Sequence, residues 1–562
     1  MVGLAVPATA HPMKERLSHI VPLALAIGVA GGLLWWLQQP GGGRAMAANP
    51  AQPDEEGVAS PGSQLEPDAE TLARLRSATA EGTGLLAQFL QELDPAHART
   101  NEAVLTFKDA AAYRAFLGRA GAAGLQVLGR IDGLLTARVR YPSLSALQTE
   151  VAGNTADYAD VSANILVLAP TLPPPEARAG VQQVPINNNL LASLGMAGDH
   201  SQWGGGVTIA VLDSGVAPDP TFGSRVQYLD VGLGTGVSPG DSHGTSVASI
   251  AAGMAADAPG IAPAADILSV RITAADGTSD LFTLSQAIMA AVDKGAQVVN
   301  ISMGSYSTTG LLSSAIDYAG QHGVVVVASA GNDQASQLVW PAADPRVASV
   351  GAVDAVEQQV IFSNAGPQLK ITAPGYDVQT AGLDGQRVLF TGTSASAPVV
   401  AGAIAAMISQ NPGMDATQAW QVLQQFASDA GTPGPDPNYG NGIVNLGWAM
   451  NRADASRIDT AVASPTYDPL SSSVTYLVQN RSGMGMGGMQ LNLDISGVPS
   501  SYTLPWLDPG ATTVVQAPID PSRLTAAGSL VLRAQLVNPP GFQDVVPANN
   551  RRASVLTPPP AK

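Results

Sequence analysis

The chain has 562 residues, too many for one hydrophobic core, so roughly three or four domains are expected. It carries 27 Lys and Arg against 44 Asp and Glu, a formal net charge of -17, which excludes nucleic acid as a natural partner because phosphate backbones would be repelled. There is no Cys, which excludes disulfides, thiolate metal sites and a cysteine nucleophile; 60 Gly, 42 Pro and 45% hydrophobic residues describe compact folds joined by connectors.

Lys14 and Arg16 precede residues 20–37, a run of 18 residues without a charge that is just long enough to span a bilayer. Basic residues ahead of the run would hold the N-terminus in the cytoplasm and send the remainder outside. Ala45-Met46-Ala47 offers a small-residue cleavage pattern, so residues 1–47 read as a membrane anchor or a removed signal peptide. The length of the run and the Gly-rich spacer at Arg44 favour a single-pass anchor over secretion. Either way the protein is expected to be extracytoplasmic. Residues 48–67, rich in Pro, Ala, Gly and acids, read as an exposed linker.

Within 68–169, Leu86, Phe89, Leu90 and Leu93 fall at helical spacing. A strand at 104–107 and a helix at 109–121 follow. Two strands within 127–141 are broken at Asp132-Gly133; a helix at 144–151 and a strand at 163–168 complete the order β-α-β-β-α-β of a small ferredoxin-like α+β domain. Residues 170–185 contain TLPPPEARAG, an exposed connector suited to proteolysis.

Four junctions then place polar residues where buried elements begin or end. The apolar run 207–212 reads as a strand of a parallel sheet and ends at Asp213-Ser214-Gly215; chemistry gathers at the carboxyl ends of such strands, although the same triplet also serves as a plain turn. His243 opens a small-residue helical run, where one ring nitrogen can face a cleft; His322, the other His followed by Gly, ends a helical stretch and is accounted for by the helix dipole. The run GVVVVASAGN ends at Asn332, whose side chain offers an N–H donor or a simple turn cap. In GTSASAPVVAGAIAAMI, Ser394 follows a Gly-Thr lead-in to a buried helix; the residue is either an N-cap or a nucleophile beside N–H groups that could receive an oxyanion.

Taken together, residues 211–215, 243–245, Asn332 and 392–398 resemble the signatures of the subtilisin-like serine proteases, in which Asp, His and Ser occur in this chain order. GIAPAADILSVRI, FSNAGPQLKITAPG and YGNGIVNLGWAM match the same family. The resemblance covers residues 186–451 and implies a three-layer α/β peptidase domain with a mainly parallel sheet. It implies Ser394 as nucleophile, His243 as general base and Asp213 as the group that orients the imidazole. Asn332 and the Ser394 N–H would form the oxyanion hole. Ser302, Met303 and Gly304, with Ser329, Ala330 and Gly331, resemble the two walls of the family's primary specificity pocket. Val339 stands where many relatives have glycine, so a preference for small or medium apolar residues before the scissile bond is expected.

The implied substrates are proteins and peptides. Within 68–169, a helical segment plus this small domain, residues 102–168 resemble the family's inhibitory propeptide, which would be an intramolecular inhibitor cut off between Ala169 and Pro185; an independent α+β domain is the alternative. Residues 254–261 are shorter than the loop that often binds calcium in the family, so no cofactor is required and that calcium site is not carried over, other calcium sites staying open. A dedicated processing protease with few partners and a catalytically silent surface binding protein are the competing functions.

In 452–562 the texture becomes all-β. Strands are expected at 474–479, 489–495, 512–516 and 530–536, separated by Gly/Pro turns as in an accessory β-sandwich. That ending resembles cell-adhesion-type modules of bacterial surface proteins, and Pro558-Pro559-Pro560 closes the chain as an exposed tail.

Overall fold

Seven strands form the central sheet, in spatial order Ile371–Pro374, Ala348–Val353, Val325–Ser329, Val298–Ile301, Thr208–Asp213, Asp266–Arg271 and Val226–Leu229, with every pairing parallel. The computed structural model describes residues 84–94, 96–172, 183–196, 198–238 and 240–557. The apolar run 20–37, the linker 48–67, residues 173–182 of the connector and the Pro558 tail lie outside the described residues. Among those described, no helix is long and apolar enough to cross a membrane.

The strands are Val/Ile/Ala runs because both faces of the sheet are covered. Successive side chains point to opposite faces. Ala210 and Leu212 enter one core with Ile288 of helix Leu281–Asp293 and Leu312 of helix Gly310–Gln321. Ile209 and Val211 enter the other with Val247 of helix His243–Ala252 and Ile404 of helix Thr393–Gln410. The chain lays strands to one side of Thr208–Asp213 and then crosses to the other, so the sheet reverses its winding there. In open α/β sheets ligands bind at such a switch point beyond the carboxyl strand ends, and Asp213 is the last residue of the strand there.

The N-terminal region carries helix Leu85–Glu92 and an antiparallel sheet in the order Tyr158–Val167, Ala98–Phe107, Thr136–Arg140, Gln126–Ile131. Helices Ala110–Arg119 and Leu144–Gly153 complete the expected β-α-β-β-α-β order. Strand Ala98–Phe107 starts earlier than the apolar pattern predicts. The cause is visible at Glu102, a carboxylate inside Ala98–Phe107 that is buried because Arg138 on the adjacent strand meets it at 2.7 Å. Ser279–Asp280 of the peptidase region pairs antiparallel with Val167 and Leu166, adding a fifth strand to this sheet.

The C-terminal region holds two four-stranded antiparallel sheets around a common core that includes Val474, Tyr476, Leu491 and Leu532. The four expected strands are present as Ser473–Asn480, Gln490–Ile495, Thr512–Pro518 and Leu530–Val537. Thr460–Val462, Thr466–Asp468, Val498–Thr503 and Arg551–Leu556 are additional. Three of these are sheet margins with largely exposed or half-exposed side chains, the setting in which hydrophobic alternation is weakest.

Candidate active site

Asp213 ends strand Thr208–Asp213 and is 1% exposed; His243 is the first residue of helix His243–Ala252. Their side chains meet at 2.8 Å, His243 Nδ1 to Asp213 Oδ1. The same Oδ1 accepts the Ser214 N–H at 2.7 Å. The helix can begin this close to the strand end because residue 244 is glycine: a Cβ there would lie 3.1 Å from the Cβ of Asp213 and would strike the carbonyl of Gly215. Asp241 accepts the His243 N–H at 2.8 Å, and the ring of Phe390 meets the imidazole edge-on at 5.2 Å between centroids. Burial disfavours the imidazolium, but the charge and hydrogen bond of Asp213, with Asp241 behind, outweigh it and raise the His243 pKa above 6.5. With Nδ1 engaged by the carboxylate, Nε2 is the nitrogen free to exchange a proton.

Ser394 is the second residue of helix Thr393–Gln410 and is 2% exposed. Gly392 enters that helix at φ 137°, a backbone setting open to glycine, and a Cβ there would sit 3.0 Å from Nδ2 of Asn332. Pro398 lies inside the helix and has no N–H to give to the carbonyl of Ser394, four residues back. That carbonyl accepts the hydroxyl of Ser302 instead, at 3.2 Å. Ser394 Oγ donates in turn to the carbonyl of Ser302 at 3.1 Å.

Strand Val325–Ser329 stops short of Asn332, which sits on the following turn and not at the strand terminus that its sequence suggests. Asn332 Oδ1 accepts both the N–H and the hydroxyl of Thr393, each at 2.9 Å. This fixes the amide and turns Nδ2 into the cleft, where it donates to the carbonyl of Pro170 at 3.3 Å. Buried Asn364 braces the turn, accepting from the N–H groups of Asp333 and Ala335 and donating to the carbonyl of Ala330.

Ser302, Met303, Gly304, Ser329, Ala330, Gly331 and Val339 are all buried, and Ser302 is bonded to Ser394. Val339 bonds to the Ala330 carbonyl at 3.1 Å, and its side chain lies between the two walls. A Cβ on Gly304 would strike it, and one on Gly331 would stand 3.2 Å from Val339 Cγ1. Residues 254–259 close as a tight hairpin of Met254–Ala255 with Ala258–Pro259. Among the described residues no group of His, Asp and Glu is placed to hold a metal.

The structure pairs Asp213 with His243, bonds Ser394 to Ser302, ties Asn332 to Thr393 and sets Val339 against Gly304 and Gly331. Thr393, Asn364, Phe390 and the carbonyl of Ser302 were not foreseen. Thr393 carried a signal in its place between Gly392 and Ser394; Asn364 and Phe390 carried none.

The profile of the subtilase family matches residues 204–442. Subtilisin BL from Lederbergia lenta is 34% identical over 244 residues, which cover 43% of this chain and 90% of that protein. The thermophilic serine proteinase of Bacillus sp. (strain AK1) is 36% identical over 252 residues, covering 43% of this chain and 62% of that protein. The crystal structure of the epidermin leader peptide processing serine protease from Staphylococcus aureus aligns over 63% of this chain and 98% of its own, with a TM-score of 0.53 at 22% identity, a likeness of fold. With a seven-stranded parallel α/β core and these relatives, the chain belongs to the subtilase family and is a serine endopeptidase.

Proposed function

We propose that Ser394 is the nucleophile of this endopeptidase, His243 its general base and Asp213 the group that holds the imidazole. The contact between Asp213 and His243 at 2.8 Å supports the pairing. In the reaction Oγ attacks the substrate carbonyl while His243 takes its proton; the proton then passes to the leaving amine, and water releases the acyl-enzyme. Asn332 Nδ2 and the Ser394 N–H would receive the oxyanion. These residues supply nucleophile, base and donors themselves, so the mechanism asks for no cofactor.

We further propose that the chain is made as a self-inhibited precursor. Residues 68–169 would form a ferredoxin-like propeptide, 170–185 a processing connector, 186–451 the peptidase and 452–562 an accessory β-sandwich. The observation that carries this is the carbonyl of Pro170 lying on Nδ2 of Asn332, the donor assigned to the oxyanion. Processing outside the cytoplasm, with residues 20–37 as anchor, fits the basic residues that precede that run. Val339 between the pocket walls favours small or medium apolar residues before the scissile bond.

A fluorophosphonate probe tests the nucleophile. Processed protein should label, and Ser394→Ala should neither label nor process itself, accumulating uncut chain. Labelling that survives Ser394→Ala would refute the assignment. A peptide library cut best after Arg or Phe would refute the pocket.

A further inference from the structure

Residues 168–172 cross the cleft as a substrate would, and their contacts define the register. Leu168 pairs antiparallel with Gly304, its N–H donating at 2.9 Å and its carbonyl accepting at 2.8 Å. Two residues further along each strand, in opposite directions, the next hydrogen-bonded pair of such a ladder is Pro170 with Ser302. The Pro170 carbonyl accepts from Asn332 Nδ2 at 3.3 Å. Beyond it Leu172 packs against the cluster of Ala352, Val360 and Phe362. The chain is thus held on both sides of one peptide bond, Pro170–Thr171.

Proline has no N–H. The carbonyl of Ser302, which an N–H at position 170 would engage, accepts the hydroxyl of Ser394 instead, at 3.1 Å. A hydroxyl has a single proton to donate, and a carbonyl is an acceptor that cannot carry it away. The proton that His243 must take is therefore directed elsewhere.

We propose that Pro170 is a brake on self-processing: by leaving the Ser302 carbonyl open it parks the Ser394 hydroxyl away from its base, so the segment stays bound and is cut slowly. The proposal rests on Ser394 as nucleophile and on the N-terminal region as inhibitor. An N–H at position 170 occupies the Ser302 carbonyl and frees the hydroxyl for His243 Nε2. Oγ then bonds to the carbonyl carbon of residue 170 as its proton passes to Nε2. The bond to Thr171 breaks, its nitrogen leaving with that proton, and water hydrolyses the ester to a carboxylate on residue 170 and a free Oγ–H.

The test compares purified full-length protein with Pro170→Ala and Pro170→Ser, following the fragment that begins at Thr171 by N-terminal sequencing and intact mass. Both variants should release it roughly 2- to 10-fold faster than the parent chain, about the effect of one restored hydrogen bond, and adding Ser394→Ala should abolish it. Equal rates in parent and variants overturn the brake and leave the nucleophile standing. Variants that digest casein but never produce the Thr171 end overturn the register. Parent protein already fully cut at Thr171 on purification overturns the proposal without any variant, whatever the variants' folding. Protein that neither labels with fluorophosphonate nor cuts casein refutes the Ser394 assignment itself.

Discussion

At Asn332 one side-chain amide is used from both ends. Its oxygen is tied to Thr393 by two hydrogen bonds, so its Nδ2, the oxyanion donor proposed above, is held in place before substrate arrives. Asn332→Ala should therefore lower kcat by ~100- to 1000-fold with little change in KM, the range seen when one oxyanion donor is removed from such a site. Equal losses in kcat for Asn332→Ala and for a distant surface variant would contradict it. His243 gives a pH prediction. Burial acts against its charged form, but Asp213 and Asp241 win, so its pKa lies above 6.5. A base must be neutral to take a proton, so kcat/KM should rise with pH, its acid limb centred above that value. In Asp213→Asn the carboxylate charge is gone while burial stays, so the limb should move to lower pH. The same variant should lose kcat by ~10⁴-fold because the wrong tautomer is held. An acid limb that stays put in Asp213→Asn would remove Asp213 from the role proposed.

The elements that frame the cleft are coupled at their ends. Pro398 costs helix Thr393–Gln410 one internal bond, and Ser302 fills the vacated carbonyl, which ties the serine helix to the pocket wall. Val339 spans the gap from that wall to Gly331. Replacing it with Ala should open the pocket and raise kcat/KM for Phe over Ala before the scissile bond by roughly 10-fold or more, since each added methylene of fit is worth about 1–3 kcal/mol. Removing buried methyl groups should cost ~1–2 kcal/mol of stability, read from chemical denaturation. An unchanged Phe/Ala ratio would show that Val339 does not limit the pocket. These elements also mark what sequence made legible. Buried parallel strands and the helices opening at His243 and Thr393 announce themselves, because apolar runs and small-residue helices leave direct patterns. Asp213, His243 and Ser394 sit where those patterns break. Asn364 stayed hidden because its function is set by loops that meet only in three dimensions. Strand Arg551–Leu556 stayed hidden because an edge strand with exposed side chains has little hydrophobic signature.

Across the whole described chain, the N-terminal sheet and the peptidase share one apolar core and one sheet edge. Phe282 of the peptidase, 2% exposed, lies against Gly129 of the N-terminal sheet; a Cβ on Gly129 would stand 2.8 Å from its ring. Beside it Arg138 meets Glu102 at 2.7 Å and Asp280 at 3.4 Å, so one guanidinium ties the two regions. Burial would push the Glu102 carboxyl up, but Arg138, Asn164 and Arg140 together hold it below 4.5. A carboxyl held low stabilises above its ordinary value and loses that contribution only as pH falls through its depressed pKa. Mild acid at about pH 5 should therefore leave this carboxylate charged and its pairing inside the N-terminal sheet intact. Detachment of the N-terminal fragment after cleavage should follow loss of Phe282. Truncating a buried Phe costs ~3–5 kcal/mol, which corresponds to more than ~100-fold in fragment affinity if most of that cost falls on the contact. In gel filtration of the cleaved full-length protein the fragment should co-elute with the unaltered peptidase and separate from Phe282→Ala, and casein hydrolysis should begin earlier in the variant. A thermal melt of the peptidase with fragment removed separates weakened docking from general destabilisation. Co-elution unchanged in Phe282→Ala, with the peptidase still folded, would mean that the shared sheet edge and the Arg138 bridge hold the N-terminal fragment without the aromatic contact.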